Sequence, residues 1–207
     1  MKKIIASILL AASSTAFASC SDLYPPNVSL PIKGTTELCN SFYVSRYDEA
    51  NKKVVFVSER LRQGMPVGTV VRENPFKADL RIRKSPKPSE YTHSGYDKGH
   101  MAPADDASTH EEMVETFYMT NMTPQEPTCN RVGWKMLEEK VRKIWDSSRN
   151  DVFVITMADY DVKPKTMSGI PIPRGYWKIV WADGRRIAFY AKNEEQCKVV
   201  QVESPIK

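Results

Sequence analysis

The alternation of apolar and polar positions becomes regular near residue 42. Residues 42–47 and 54–61 are short apolar or β-branched runs separated by the polar stretch 48–53, which predicts a β-hairpin. Residues 67–71 predict a further strand, and residues 113–120 predict one ending at Tyr118 and Met119. Between them, residues 73–106 carry Pro75, Pro86, Pro88 and Pro103 with Gly95 and Gly99, which predicts a loop. Loops of that length in a compact domain are usually functional or disordered. Residues 130–146 predict the principal helix: at about 100° per residue, Trp134, Leu137, Val141, Ile144 and Trp145 share roughly one third of the circumference. Glu138 and Arg142 lie at one edge of that stripe, one turn apart. Residues 152–157 read as a buried strand, 171–174 as a loop, and 176–181 and 185–190 as a hairpin closed by Asp183 and Gly184. The order predicts an α+β domain with a mostly antiparallel sheet and one principal helix.

The first residues follow a different rule. Lys2 and Lys3 precede an apolar run over 4–12, and Ala16, Phe17, Ala18 and Ser19 supply small residues, the pattern of a signal peptide over 1–18 cleaved after Ala18. The run is too short to span a bilayer, and no later segment approaches about 18 uninterrupted apolar residues. Export to the periplasm or beyond is therefore expected; Cys20 just after the run also offers a lipid anchor, but Phe17 fits such a site poorly. Residues 19–41, with Pro25, Pro26 and Pro31, predict an extended arm ahead of a single domain over 42–207. Cys20, Cys39, Cys129 and Cys197 are an even set in an exported chain, which predicts two disulfides among three possible pairings. Chain order suggests Cys20 with Cys39 and Cys129 with Cys197. No C-x-x-C occurs, which argues against a zinc ribbon or a thioredoxin-type site.

Charge adds a little. The formal net charge is +5, and removing Lys2 and Lys3 leaves +3. The excess is concentrated: Lys77, Arg81, Arg83, Lys84 and Lys87 face Asp79 alone within 77–87, and residues 131–149 are also rich in lysine and arginine. Such runs are either solvated faces or the footprint of a polyanion.

Chemistry narrows the choice. Only His93, His100 and His110 are available for histidine catalysis. His100 follows Gly99, a residue that allows unusual torsions or close approach, and has Asp97 three positions earlier. Asn130 falls on the apolar side of the principal helix, where an amide must find partners; it either caps the helix or offers its carbonyl oxygen to a hard cation. Glu138, two turns on, could hold that cation's water shell, an arrangement suited to Mg²⁺. The His93 to His100 spacing is not H-E-x-x-H, which argues against a zinc hydrolase.

Two motifs, Tyr96-Asp97-Lys98-Gly99-His100-Met101-Ala102-Pro103-Ala104 and Thr120-Asn121-Met122-Thr123-Pro124-Gln125, are followed by Asn130, Gly133, Trp134, Leu137, Glu138 and Arg142. Together they resemble the DNA/RNA non-specific endonucleases, sugar-nonspecific nucleases with a ββα-metal core, over residues 42 to 190. The resemblance implies His100 as general base, Asn130 as the one direct protein ligand of Mg²⁺ (Mn²⁺ able to substitute), and Glu138 as the residue orienting the metal's waters. It further implies Asn121 as an amide supporting the site, and Arg142 and Arg72 as phosphate contacts. DNA and RNA would be cut with little sequence preference, leaving 5′-phosphate ends. The alternative is an inactive nucleic-acid or surface-binding module on the same scaffold. Lys98 stands where that family usually has arginine, so a planar fork is lost. The sequence Val154-Ile155-Thr156-Met157-Ala158-Asp159 replaces the family's threonine-glycine-proline turn.

Overall fold

Strand β1 (Thr36–Cys39) begins the regular structure, followed by β2 (Tyr43–Asp48) and β3 (Lys53–Leu61). A computed structural model describes residues 20–66 and 68–206, so the expected signal peptide and its cleavage point lie outside the described residues. The chain continues through β4 (Asp97–His100), α1 (His110–Thr116), β5 (Met122–Gln125) and α2 (Lys135–Ser147), the last entered through a π-helical turn at Cys129–Trp134. It ends with β6 (Val152–Asp159), the short β7 (Thr166–Met167) and β8 (Ile170–Pro171), then β9 (Gly175–Ala182), β10 (Arg185–Lys192) and β11 (Val200–Val202).

Seven strands make one antiparallel sheet in the order β1-β2-β3-β6-β9-β10-β11, while β4 and β5 form a separate two-stranded ribbon. The α+β expectation and both hairpins hold. The β9–β10 turn has Asp183 and Gly184 at positive φ, 47° and 74°, as a two-residue hairpin of this kind requires. The segment expected as an extended arm does more: it supplies the edge strand β1, and Cys20–Cys39 and Cys129–Cys197 are the disulfides formed.

Three expectations are corrected. Residues 110–116 are helical rather than part of a strand, because Thr109 and Glu112 close a capping box. Thr109 Oγ1 accepts from the Glu112 N–H at 3.2 Å and Glu112 Oε2 accepts from the Thr109 N–H at 3.2 Å. Residues 68–71 form no strand, and Val67 lies outside the described residues. The long loop over 73–106 contains β4, whose polar composition concealed it because it pairs in a ribbon rather than in the main sheet.

Period-two alternation gives the large sheet two different faces. Phe56, Ile155, Ile179 and Ala188 face away from α2 and are covered by Tyr24, Val28 and Leu30 of the arm and by Ile206 of the tail. Val57, Leu61, Val154, Val180 and Phe189 face α2 and pack against its buried Trp134, Leu137, Val141 and Trp145. Each such side chain contributes roughly 1.5–3 kcal/mol on burial. That packing fixes the helix and everything on its edge.

Candidate active site

The β4–β5 ribbon pairs Asp97 with Gln125 and His100 with Met122, so Lys98 and His100 share one face. Gly99 is required by proximity, not by torsion: a Cβ there would collide with the Gln125 side chain. His100 ends β4 and is clamped by aromatic rings, Phe117 edge-on at 4.8 Å and Phe76 at 5.8 Å. Immediately beyond it, fully buried Asn121 braces the backbone. Its Oδ1 accepts from the Ala102 N–H at 2.9 Å, and its Nδ2 donates to the carbonyls of Ala102 and Thr116 at 2.9 and 2.8 Å. The preceding loop is pinned by Asp79, which accepts from Thr120 Oγ1 at 2.6 Å and from Arg81 Nε and Nη2 at 2.8 and 2.7 Å.

His100 is partly exposed, yet Nε2 is buried without a hydrogen-bond partner among the described residues. Nδ1, by elimination, is the nitrogen open to the cleft. Burial and then the Arg72 charge depress the His100 pKa to about 3, so the imidazole is neutral near pH 7.

On the opposite wall, the helix presents Asn130 and Glu138. Asn130 Nδ2 donates to Asp97 Oδ2 at 2.9 Å, which turns Oδ1 away from Asp97 and leaves it without a hydrogen bond among the described residues. Asp97 also takes Arg131 Nε and Nη2 at 2.8 and 2.7 Å. Burial opposes its ionisation, but the donors Arg131 and Asn130 prevail and hold its pKa below the usual value. Glu138 has no hydrogen-bond donor among the described residues; burial foremost, with Lys178 and Arg142 opposing and Asp106 and Asp105 reinforcing, pushes its pKa to about 7.

Arg72, His100, Asn130 and Glu138 all line one cleft of 420 Å³, joined by Lys98, Arg131, Lys135 and Asp105. The two motifs thus meet across one opening. Asn121 and Arg142 do not line it. Arg142, one turn beyond Glu138, gives its Nη1 to Asp106 Oδ1 at 2.9 Å and approaches Asp105 at 4.0 Å. Arg72 stacks over Phe117 at 5.6 Å and faces Asp105 at 3.7 Å. Lys98 sits over Phe76 at 4.7 Å, so the residue that replaces arginine packs on the ring beside His100.

An amide oxygen held open and a nearby carboxylate lacking donors fit a hard divalent ion that keeps most of its waters. The only close trio of His, Cys, Asp or Glu among the described residues, Cys20, Glu37 and Cys39, fits none, because both sulfurs are joined in the disulfide. Sequence reasoning missed Asp97 as the orienter of Asn130, and Arg131 and Lys135 as cleft cations. It also missed Glu59 and Lys178, whose signal was a charge inside an otherwise apolar strand.

The family model for DNA/RNA non-specific endonuclease matches residues 22–205. A nuclease of Nostoc sp. is 29% identical over 162 residues, 75% of this chain and 58% of the relative. The mitochondrial nuclease EXOG of Xenopus laevis is 34% identical over 130 residues, 61% of this chain and 36% of that protein. Human mitochondrial endonuclease G is 33% identical over 118 residues, 55% of this chain and 39% of the relative. The chain therefore spans little more than half of the first of these relatives and less of the others. A crystal structure of the EndoG/EndoGI complex has a chain of the same fold, with a TM-score of 0.70 and 24% identity over 81% of this chain and 80% of that one.

Proposed function

The chain belongs to the DNA/RNA non-specific endonuclease family, and from that premise together with the cleft we propose that it is a metal-dependent endonuclease using Mg²⁺ to hydrolyse DNA and RNA. The single observation that carries the reading is the convergence of a neutral His100 and the free Oδ1 of Asn130 on one cation-lined opening. Asn130 would hold the ion directly and Glu138 through its waters. When bound, the ion would offset charge on the phosphate and on the departing oxygen.

The remaining work falls to the chain. His100 Nδ1 takes a proton from the attacking water. Its low basicity in the free protein stems partly from Arg72, and a phosphate opposite Arg72 offsets that charge and raises the proton affinity of the ring as substrate binds. Arg72 and Lys98 draw the phosphate towards Nδ1; Arg131 and Lys135 extend the positive lining along the helix. Arg142, outside the cleft lining, steadies the edge of α2 through Asp106. Products carry 5′-phosphate ends. Contacts confined to the sugar-phosphate backbone carry no base information, so DNA and RNA are both accepted, and binding weakens as salt rises. The two disulfides support an oxidising compartment, periplasmic or extracellular, as the place of work.

The test is nicking of supercoiled plasmid and digestion of RNA, with and without EDTA. Wild type should cut only when Mg²⁺ is present, and His100→Ala should lose at least about 100-fold in rate while melting normally. Undiminished cutting by His100→Ala would remove the base assignment.

A further inference from the structure

Behind the cleft, the face of the sheet that packs on α2 carries two buried ionisable side chains that the chemistry above does not use. Glu59 on β3 and Lys178 on β9 lie on strands that each pair with β6, and both are fully buried among the apolar residues beneath the helix. Neither carboxylate oxygen of Glu59 receives a hydrogen bond among the described residues. Lys178 does not relieve it: no ion pair joins them, and Nζ instead donates to Thr156 Oγ1 at 2.9 Å and sits 5.4 Å from the Trp134 ring centroid. The group within hydrogen-bonding reach of Glu59 is another carboxylate, that of Asp106. Asp106 is itself buried, and its Oδ1 is engaged by Arg142 at 2.9 Å.

Two carboxylates in contact in a buried site cannot both ionise; one keeps a proton and donates it to the other. Asp106 already has a guanidinium at Oδ1, so it is the member that keeps its charge. Glu59 has no donor and keeps the proton. Burial pushes both carboxyls up, but at Asp106 the Arg142 and Lys178 charges and the Arg142 hydrogen bond work against it, whereas Glu59 is driven far above the usual range. An ionised Glu59 would leave an unpaired charge in the core, which is far costlier than a neutral carboxyl with one good acceptor.

We propose that Glu59 is a positioning residue for the metal site: as a neutral acid it donates a hydrogen bond to Asp106, which holds Arg142 against the edge of α2 one turn from Glu138. The chain Glu59–Asp106–Arg142 thereby ties the sheet to the helix edge that faces the cleft, and fixes where the Glu138 carboxylate stands. Outer groups of this kind typically alter metal affinity or activity by 10–100-fold when lost.

The inference rests on the nuclease reading of the cleft, and the test separates the two. Mg²⁺ alone is titrated by calorimetry into wild type, Glu59→Leu and Glu59→Gln, and plasmid cleavage and melting are measured on the same samples. Glu59→Leu removes the donor and should weaken Mg²⁺ binding by about tenfold. Glu59→Gln keeps an N–H donor at the same place and should bind Mg²⁺ within about threefold of wild type. Infrared spectra of wild type at neutral pH should show a protonated carboxyl band that Glu59→Gln lacks, a readout that does not need the leucine variant to fold. The inference is overturned if Glu59→Leu melts lower but binds Mg²⁺ as wild type does, if Glu59→Gln is as impaired as Glu59→Leu, or if the infrared band is absent. A wild type that neither binds Mg²⁺ nor cuts plasmid would remove the nuclease reading and this inference with it.

Discussion

The two walls of the cleft are anchored by opposite means. The His100 wall is a loop and ribbon pinned by two buried polar groups that are satisfied: Asp79 takes donors from Thr120 and Arg81, and Asn121 exchanges hydrogen bonds with the backbone of Ala102 and Thr116, while Nε2 of His100 and of Gln125 find no partner among the described residues. The helix wall rests on apolar packing, the Cys129–Cys197 bridge and a buried carboxylate, Glu59, that no donor reaches. Asp79 and Glu59 are equally hidden from water, yet burial is outweighed at Asp79 by Arg81 and Thr120, and its pKa is lowered, while Glu59 is driven upward. Depth alone does not set the charge of a carboxyl; the donors supplied to it do. A loop with few apolar residues needs paired charge to hold its shape, whereas a helix already seated by tryptophans can tolerate a neutral acid beneath it.

Lesions on the two walls should therefore separate. The largest effect is expected from opening Cys129–Cys197, which closes a loop of 68 residues and by chain entropy contributes about 4 kcal/mol. Because Cys129 adjoins Asn130, the double variant Cys129→Ala/Cys197→Ala should melt well below wild type and also bind Mg²⁺ more weakly. If it lost stability without any change in Mg²⁺ titration, the bridge would be a staple for the fold and nothing more. Next comes Asp79→Ala, which removes the buried acceptor of Thr120 and of the exposed Arg81 and should cost about 1–3 kcal/mol. This change loosens the His100 wall, so kcat should fall while Mg²⁺ affinity stays at the wild-type value. Calorimetry showing equal Mg²⁺ losses in both variants would erase the distinction between the walls.

The sequence disclosed the helix wall more completely than the way it is held. Trp134, Leu137, Val141 and Trp145 recur at helical spacing, so α2 and the edge position of Glu138 could be read directly. The β4–β5 ribbon could not, because its strands are four residues each and carry aspartate, lysine, glycine and proline rather than a β-branched run. The helix α1 was mistaken for a strand since Met113, Val114, Phe117 and Tyr118 cluster locally, and the Thr109–Glu112 capping box outweighed that clustering. His100 and Asn130 were legible as motif residues. What was not legible is Asp97 turning the amide of Asn130, or Glu59 meeting Asp106, since both depend on contacts between segments more than 30 residues apart.

The smallest expected effect lies in the pH dependence of stability, where the two buried carboxyls pull in opposite senses. Asp79 has a folded pKa below its unfolded one, so its contribution is complete above the ordinary carboxylate range and is lost as pH falls through the depressed value. Glu59 has a folded pKa above its unfolded one; the folded state holds a proton that the unfolded chain releases, so stability declines as pH rises from the ordinary carboxylate range towards the raised value. Lys178, Asp106 and Glu138 are the charges that face it, and the first lowers what the other two raise. Melting temperatures followed from acid to neutral pH should thus show a shallower acid limb in Asp79→Asn than in wild type. Glu59→Gln should gain on wild type steadily as the pH is raised. Parallel curves for wild type and Glu59→Gln would mean that Glu59 is ionised in the core and paired with Lys178, and the helix wall would then be held by charge, as the His100 wall is.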